Sequence, residues 1–477
     1  MAFAQILFPI LMAMLAAAIP SNRWRPWLLP VAATIHSGLV AWVLARPELG
    51  ITASWLALDA PGRIVLLQVS TLFLLCSFYT AGYLQHRQER SNRVFVACML
   101  TFLGVMCLVI WSQHLGVMWV AIEATTLATA PLIYFNHTQH SIEATWKYLL
   151  VGSVGIAMAL LGTFFLAYAS LHEGLDSALT MDALLQHAPQ LSKPWLHAAF
   201  ILLLVGYGTK MGLAPMHTWK PDAYGEAPGV VGALLAGGVT SCAFLAVLRI
   251  YHICNAAGES GYTSRLLLFM GLFSMAVAGL FMVGQRDIKR MLAYSSVEHM
   301  GILVLGLGIG APALFGTLLH VLTNGMTKGV LFLSAGNIHR AYHSKSTDEV
   351  RGAMRRLPLS GTLFLFGFIA ITGSPPFGPF ISEFAILKGT FDAGRFVIAG
   401  LFLLLLLVVF IGMGGTVLHV VQGRPPASVR KTPYRDGFLT GAPIVILMII
   451  VVMLGVYIPA PLQKMLTDAV SFLEAKP

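Results

Sequence analysis

Charge is what this sequence has least of. Asp, Glu, Lys and Arg make up only 10% of its 477 residues, where a soluble protein carries about 25%. That excludes a string of soluble domains, although length alone would allow them. Cysteine is also scarce. Cys76, Cys98, Cys107, Cys242 and Cys254 lie in or at the edge of apolar runs, and none pair at ligand spacing. They read as small core residues, not as zinc or iron–sulfur ligands. The chain has no GxxxxGKS or GxxxxGKT phosphate loop, no GxGxxG after a strand, no HExxH and no Ser/His/Asp elbow. It lacks an energy source of its own, so it exchanges one ion gradient for another or is driven by a partner. Its first apolar run, residues 2–19, has no basic flank or cleavage site and reads as a retained helix rather than a signal peptide.

What is abundant is apolar sequence, 57% by residue. Runs long enough to cross the hydrocarbon layer as helices recur about fourteen times. Backbone groups in lipid must be satisfied internally, so an all-α polytopic bundle is expected. The stretch 171–195 is polar enough to be a loop with a short surface helix.

The formal net charge of +10 would point to nucleic acid in a soluble protein. Here the cations sit in alternate loops: Arg23 and Arg25; Arg87, Arg90 and Arg93; Arg286, Lys289 and Arg290; Arg340, Lys345, Arg351, Arg355 and Arg356; Arg424, Arg430, Lys431 and Arg435. Positive loops stay in the cytoplasm. Topology therefore accounts for the basic balance without a nucleic acid, and places both termini outside.

Two spans, the seventh and the twelfth, are interrupted alike. One reads Lys210-Met-Gly-Leu-Ala-Pro-Met-His217 and the other Gly373-Ser-Pro-Pro-Phe-Gly-Pro-Phe-Ile-Ser-Glu383. Proline removes a backbone donor and glycine loosens a helix. Interruptions five spans apart, each with an ionisable residue, point to two inverted five-helix repeats around an ion path; packing kinks are the plain alternative. The expected organisation is residues 1–93 with helices 1–3, 94–252 as the first repeat, 264–421 as the second, and 439–477 as helix 14 and a tail.

A charge at the bilayer centre costs at least about 2.5–3.5 kcal/mol on insertion scales, so intramembrane ionisable residues are candidates for function. Glu123, Lys210, His320, Lys328 and Glu383 lie deep in spans. His320 and Lys328, with Asn324 between them, share one helix face at about 100° per residue. Glu298 and His299 stand near the start of span 10, where an interfacial role is equally open. A buried carboxylate beside a lysine acts as a switch: separated, each drifts toward its neutral form and the lysine releases a proton. Histidine passes a proton through its two nitrogens. The set thus reads as a proton wire. A structural ion pair (Glu123, Lys210) and a satisfied core histidine (His320) remain the alternatives. Glu143 and Lys147 read as a helix-end pair, and His114, His137 and His140 as interfacial.

The chain resembles the antiporter-like subunits of respiratory complex I, a family shared with multisubunit sodium/proton antiporters and membrane-bound hydrogenases. The likeness rests on the Glu123 segment, Lys210 followed by Ala214-Pro-Met-His-Thr-Trp-Lys-Pro-Asp-Ala223, Arg286-Asp-Ile-Lys-Arg290 leading into Ala293-Tyr-Ser-Ser296, Lys328-Gly-Val-Leu-Phe-Leu333 and Ser382-Glu-Phe384. Met118-Trp-Val-Ala-Ile-Glu-Ala-Thr-Thr-Leu127 and Ala293-Tyr-Ser-Ser-Val-Glu-His-Met-Gly301 most resemble the F-type membrane subunit of hydrogenase-4 and formate hydrogenlyase complexes. The resemblance implies Glu123 and Lys210 as the input pair, His320 and Lys328 as the central relay and Glu383 as the outlet. It also implies other membrane subunits, a peripheral cytoplasmic redox arm and a bacterial or archaeal inner membrane. No cofactor is expected in this chain; iron–sulfur clusters, with a NiFe centre or a quinone, would belong to the partners.

Three departures stand out. Many relatives carry a base in the helix after the broken one, where this chain reads Leu235-Ala-Gly-Gly-Val-Thr-Ser-Cys242; water past Thr240 and Ser241 is one way to bridge it. Asn324 stands where some relatives have a second His. The long lateral helix of the distal complex I subunit is not expected. Besides a proton-translocating subunit of a redox-driven complex, two readings remain: a subunit of a cation/proton antiporter or inorganic-carbon uptake system, and a structural anchor without a channel.

Overall fold

The computed structural model describes residues 1–175, 179–430 and 433–475. Lys431 of the loop cations, residues 176–178 of the 171–195 connection and the last two residues of the tail lie outside them. Among the described residues the only strands are Ile51–Ala53 and Leu56–Ala57, one short antiparallel pair. The rest of the regular structure is helical. In chain order the longer helices are α1 Ala2–Ala18, α2 Leu28–Ala45, α3 Ala60–Gln85, α4 Arg93–Trp111, α5 Leu115–Ile133, α6 Gln139–Leu171, α7 Lys193–Met211, α8 Trp219–Glu226, α9 Gly229–Ala256, α10 Ser260–Met282, α11 Ile288–Ile309, α12 Ala311–Tyr342, α13 Pro358–Ile371, α14 Gly378–Asp392, α15 Phe396–Val421, α16 Phe438–Val456 and α17 Ala460–Glu474.

Ten helices among the described residues are long and apolar enough to cross a membrane. The expected spans outside that set are α1, α7, α12 and α13. Shortness removes α1 and α13. The other two carry polar and ionisable residues, Lys210 on α7 and His320, Asn324 and Lys328 on α12.

The polar and apolar surfaces are inverted relative to a soluble protein. Leu150, Val154 and Phe164 on α6, and Val397, Leu407 and Ile411 on α15, face outward. Inside, Lys220, His299, His320 and Lys328 are fully buried at 0% exposure. Such a distribution suits lipid outside and a polar path within. The chain is a multi-pass membrane protein.

Local chemistry starts the helices. Asp59 caps α3 by accepting from Gly62 N at 2.9 Å. Thr138 and Ser141 form a reciprocal capping box on α6. Asp287 accepts from the amides of Lys289 and Arg290 at 2.8 and 3.0 Å and starts α11; its expected role as part of a turn is thereby given a mechanism.

Asp59 does a second job. Its carboxylate pairs in bidentate fashion with Arg249 of α9, at 2.8 and 2.9 Å. The same guanidinium donates to the carbonyls of Val109, Ile110 and Ser112 at 3.2, 2.7 and 2.9 Å. Arg249 therefore ties α3, the end of α4 and α9 together at a fully buried point. Arg249→Ala would leave a buried carboxylate without its counter-charge and take a donor from three buried carbonyls, at a cost of about 3–5 kcal/mol. The expected result is a lower melting temperature and loss of the protein from detergent extracts; an unchanged melting temperature would contradict it.

Both interruptions are built the same way. At the end of α7, Gly212 adopts φ +76°, with Gly212 N donating to Thr209 O at 3.0 Å and Leu213 N to Gly208 O at 2.8 Å. At the end of α13, Gly373 adopts φ +66°, with Gly373 N donating to Ala370 O and Ser374 N to Ile369 O, both at 3.2 Å. Each is a Schellman terminus, which needs the left-handed conformation that glycine adopts without penalty. Each glycine also makes room for an ionisable side chain. A Cβ on Gly212 would stand 2.3 Å from Cε of Lys220, and one on Gly373 would stand 2.2 Å from Oε2 of Glu383.

The segment after α16, expected as a tail, is in fact helical. In α17, Leu466, Ala469 and Leu473 are buried at helical spacing, and the helix packs on α3 and α12. The centre of the molecule is α12, which touches α3, α9, α11, α13, α14 and α16.

Candidate proton-transfer path

The first group of buried polar residues joins α5, α6 and α7. Lys210 Nζ donates to Thr126 Oγ1 at 2.7 Å and to the Tyr148 hydroxyl at 2.8 Å, and lies 4.7 Å from the centre of the Tyr148 ring. Thr126 Oγ1 donates in turn to Glu123 Oε2 at 3.1 Å. Glu123 and Lys210, expected as the input pair, are therefore joined through a hydroxyl. A threonine one turn beyond Glu123 on the same helix face intercepts the ammonium. The order ammonium, hydroxyl, carboxylate has the right polarity for a proton to step along it.

Glu143 and Lys147 pair at 2.6 Å as expected. Lys147 also pairs with Asp222 of α8 at 2.9 Å, and Asp222 with Arg290 of α11. This partly exposed network ties α6, α8 and α11 together at the helix ends. His114 accepts from Gly116 N at 3.1 Å and caps α5.

The second group joins α11, α12 and α14. Lys328 Nζ donates to Ser295 Oγ at 2.6 Å. His299 Nδ1 and His320 Nε2 share a hydrogen bond at 3.0 Å. His320 Nδ1 bonds Ser382 Oγ at 2.8 Å, and Ser382 meets Thr323 Oγ1 at 3.0 Å. Carboxylates close on His299 from two sides, Glu298 and Glu383 each at 3.8 Å. Glu298 and His299, for which an interfacial position was an open reading, are buried at 2% and 0% exposure. The reason is that α11 begins at Ile288, so these residues lie almost three turns into the helix, at 3.6 residues per turn. His320, whose plain reading was a satisfied core histidine, is held through both ring nitrogens.

His299, His320 and Glu383 each bring one potential ligand atom within 4.8 Å of the others. Because three of the four ring nitrogens are already engaged with each other or with Ser382, the two histidines and Ser382 read as a hydrogen-bonded chain, with Glu383 beside it at 3.8 Å from His299. A metal centre would have to break those bonds.

Four buried atoms in this group have no hydrogen-bond partner among the described residues: His299 Nε2, Glu383 Oε1, and Nδ2 and Oδ1 of Asn324. Buried amides and carboxylates of this kind are normally met by ordered water.

Thr240 and Ser241 stand apart. Their hydroxyls donate to Ala236 O and Gly237 O of their own helix at 2.6 and 2.7 Å, and the structure brings neither into contact with Lys210 or Lys328. A π turn over Leu235–Val239 precedes them.

The residues that sequence reasoning passed over are Thr126, Tyr148, Ser295, Ser382 and Lys220. Hydroxyls inside apolar helices are common, so the first four had no distinguishing signal. Lys220 had one: a lysine between Trp219 and Pro221, just past the interruption of the seventh span. It is fully buried, and its Nζ donates to Ser296 Oγ at 3.0 Å.

Comparison with known proteins bears on the identity of this bundle. Residues 112–410 match the family described as NADH:quinone oxidoreductase/Mrp antiporter, TM, and this range contains every one of the residues just placed. The Hydrogenase-4 component F homolog of Methylacidiphilum infernorum is 34% identical over 471 residues, covering 96% of each chain. NADH-quinone oxidoreductase subunit N of Desulforudis audaxviator is 33% identical over 341 residues, covering 71% of this chain and 66% of its own. Among solved structures, a chain of the membrane-bound sulfane sulfur reductase, an archaeal respiratory membrane complex, shares the fold at a TM-score of 0.87 and 20% identity, over 99% of this chain and 97% of that one. A chain of respiratory complex I from Thermus thermophilus has a TM-score of 0.78 at 25% identity, over 96% and 97%. The resemblance read from the sequence motifs and the match over most of the chain agree: this chain belongs to the NADH:quinone oxidoreductase/Mrp antiporter membrane-subunit family.

Proposed function

We propose that this chain carries protons across the membrane as an antiporter-like subunit of a redox-driven complex of the hydrogenase-4 or complex I kind. The observation that carries the proposal is the run of buried ionisable and hydroxyl side chains from His299 through His320 to Ser382, with Glu383 beside His299 and Lys328 held by Ser295 on the same helix as His299. Such a run inside an apolar bundle is costly unless it conducts. Glu123, Thr126 and Lys210 form the input. Lys328 and His320 form the central relay, with Glu298, His299 and Asn324 beside them, and Glu383 the outlet. Asn324 marks a place where water completes the wire.

The repeat reading is supported by the matching Schellman termini at Gly212 and Gly373. On it, fourteen spans cross the membrane, residues 94–252 and 264–421 are inverted repeats, and both termini lie outside. The partners are other membrane subunits and a peripheral cytoplasmic arm that holds the iron–sulfur clusters and a NiFe centre or quinone.

The test is to purify the assembly intact in mild detergent, identify its subunits by mass spectrometry and reconstitute it. A redox arm and acidification tied to turnover are expected. Membrane antiporter subunits alone, with transport that requires sodium, would replace this reading with an antiporter. In the same vesicles, Glu383→Gln is expected to lower proton translocation about tenfold or more, within the range for loss of a positioned acid–base group. Unchanged translocation would mean that protons leave elsewhere.

A further inference from the structure

We propose that Lys220 is the central proton carrier between Lys210 and Lys328. The inference rests on the proposed function and supplies the base missing from residues 235–242.

Lys220 does not look like a structural lysine. It is fully buried, yet among the described residues no carboxylate pairs with it. Its ammonium is held by the Ser296 hydroxyl at 3.0 Å and faces the Tyr224 ring at 5.8 Å. A buried charge kept for stability is normally paired. One hydroxyl and an aromatic face are enough for a group that is charged only part of the time.

Its position fits the gap. The side chain crosses the glycine that ends α7: a Cβ on Gly212 would stand 2.9 Å from its Nζ, and Gly212 is two residues past Lys210. On the other side, its partner Ser296 is the neighbour of Ser295, which holds Lys328 at 2.6 Å. Consecutive residues of α11 thus hold the two ammonium groups. The second interruption repeats the arrangement. There the glycine is Gly373, and the side chain lying against it is Glu383. Lys220 is to the first interruption what Glu383 is to the second.

In the transfer, an N–H bond of the Lys220 ammonium breaks and an N–H bond forms on the neutral amine of Lys328. The serine hydroxyls, and water between them, each accept one proton and release one, so no charge remains on the way. Two buried ammonium groups this close repel, and a proton arriving on one favours release from the other. Lys210 then reloads Lys220.

The experiment compares Lys220→Met, Lys220→Arg, Lys220→His and Lys210→Ala in the intact complex reconstituted in liposomes. It reads protons translocated per redox turnover from a pH-sensitive dye. Methionine keeps the length of the side chain, and arginine keeps the charge but does not release its proton. Both are expected to lose about 10²-fold in translocation, with histidine retaining more than either. Wild-type translocation with arginine would make Lys220 a structural cation, and with methionine a bystander; either overturns the inference. If the Lys220 variants translocate normally while Lys210→Ala abolishes translocation in the same series, the wider proposal stands and the inference falls. If Lys210→Ala also translocates normally, the wider proposal fails. Should Lys220→Met not assemble, Ser296→Ala decides: a several-fold loss is expected, and unchanged translocation overturns the role of Lys220.

Discussion

Lys210→Ala is expected to lower proton translocation through this subunit by about 10²-fold or more, while the complex still assembles. Lys210 donates to Thr126 and Tyr148, and Thr126 links it to Glu123. Truncation at Cβ removes the amine that, in the proposed path, stands between that carboxylate and Lys220. The structural penalty is modest. Thr129 still bonds the Tyr148 hydroxyl at 2.6 Å, and Thr126 still bonds Glu123. What is lost is about two hydrogen bonds from a charged donor, each worth about 1.5–3 kcal/mol, less the cost of burying the charge. The measurement is dye-reported acidification of vesicles against redox turnover, alongside a native gel. Loss of translocation with a normal assembly band supports the path. Loss of the assembly band would make Lys210 a structural residue, and wild-type translocation would remove it from the path.

His320→Leu is expected to have an effect of the same order, by a different route. His320 is the one residue bonded to both His299 and Ser382. Leucine is close to it in volume, so the core of α11, α12 and α14 stays packed. The relay between Lys328 and Glu383 is nevertheless cut. Leaving His299 and Ser382 each short of a partner costs about 1–3 kcal/mol per group, which a bundle of this size tolerates. Translocation per turnover is expected to fall about 10²-fold. His320→Ala provides the contrast, because it opens space beside polar atoms where water can enter; partial recovery relative to leucine is expected. Equal, wild-type translocation in both variants would mean that protons reach Glu383 without His320.

The sites of these two variants show how far sequence reading reaches. Lys210, His320, Lys328 and Glu383 were singled out because charge in an apolar run is visible without any structure. That Glu123 and Lys210 are joined through Thr126 was not legible, because only the packing of α5 on α7 puts that hydroxyl between them. Glu298 and His299 lay too near a loop in the sequence for burial to be read. Lys220 stood in plain view, in a stretch quoted for another reason, and its significance depends on Gly212 and Ser296.

The sequence by itself determined that the chain is helical and membrane-embedded, where its two interruptions fall, and to which family it belongs. These follow from local quantities: run length, the conformational limits of glycine and proline, and motifs contiguous along the chain. Only the tertiary structure decided which polar groups touch. Lys210 meets Thr126 across 84 residues and His320 meets Ser382 across 62. A hydrogen bond reaches only about 3 Å, so partners that far apart along the chain are chosen by how helices pack, and no periodicity within one helix carries that information.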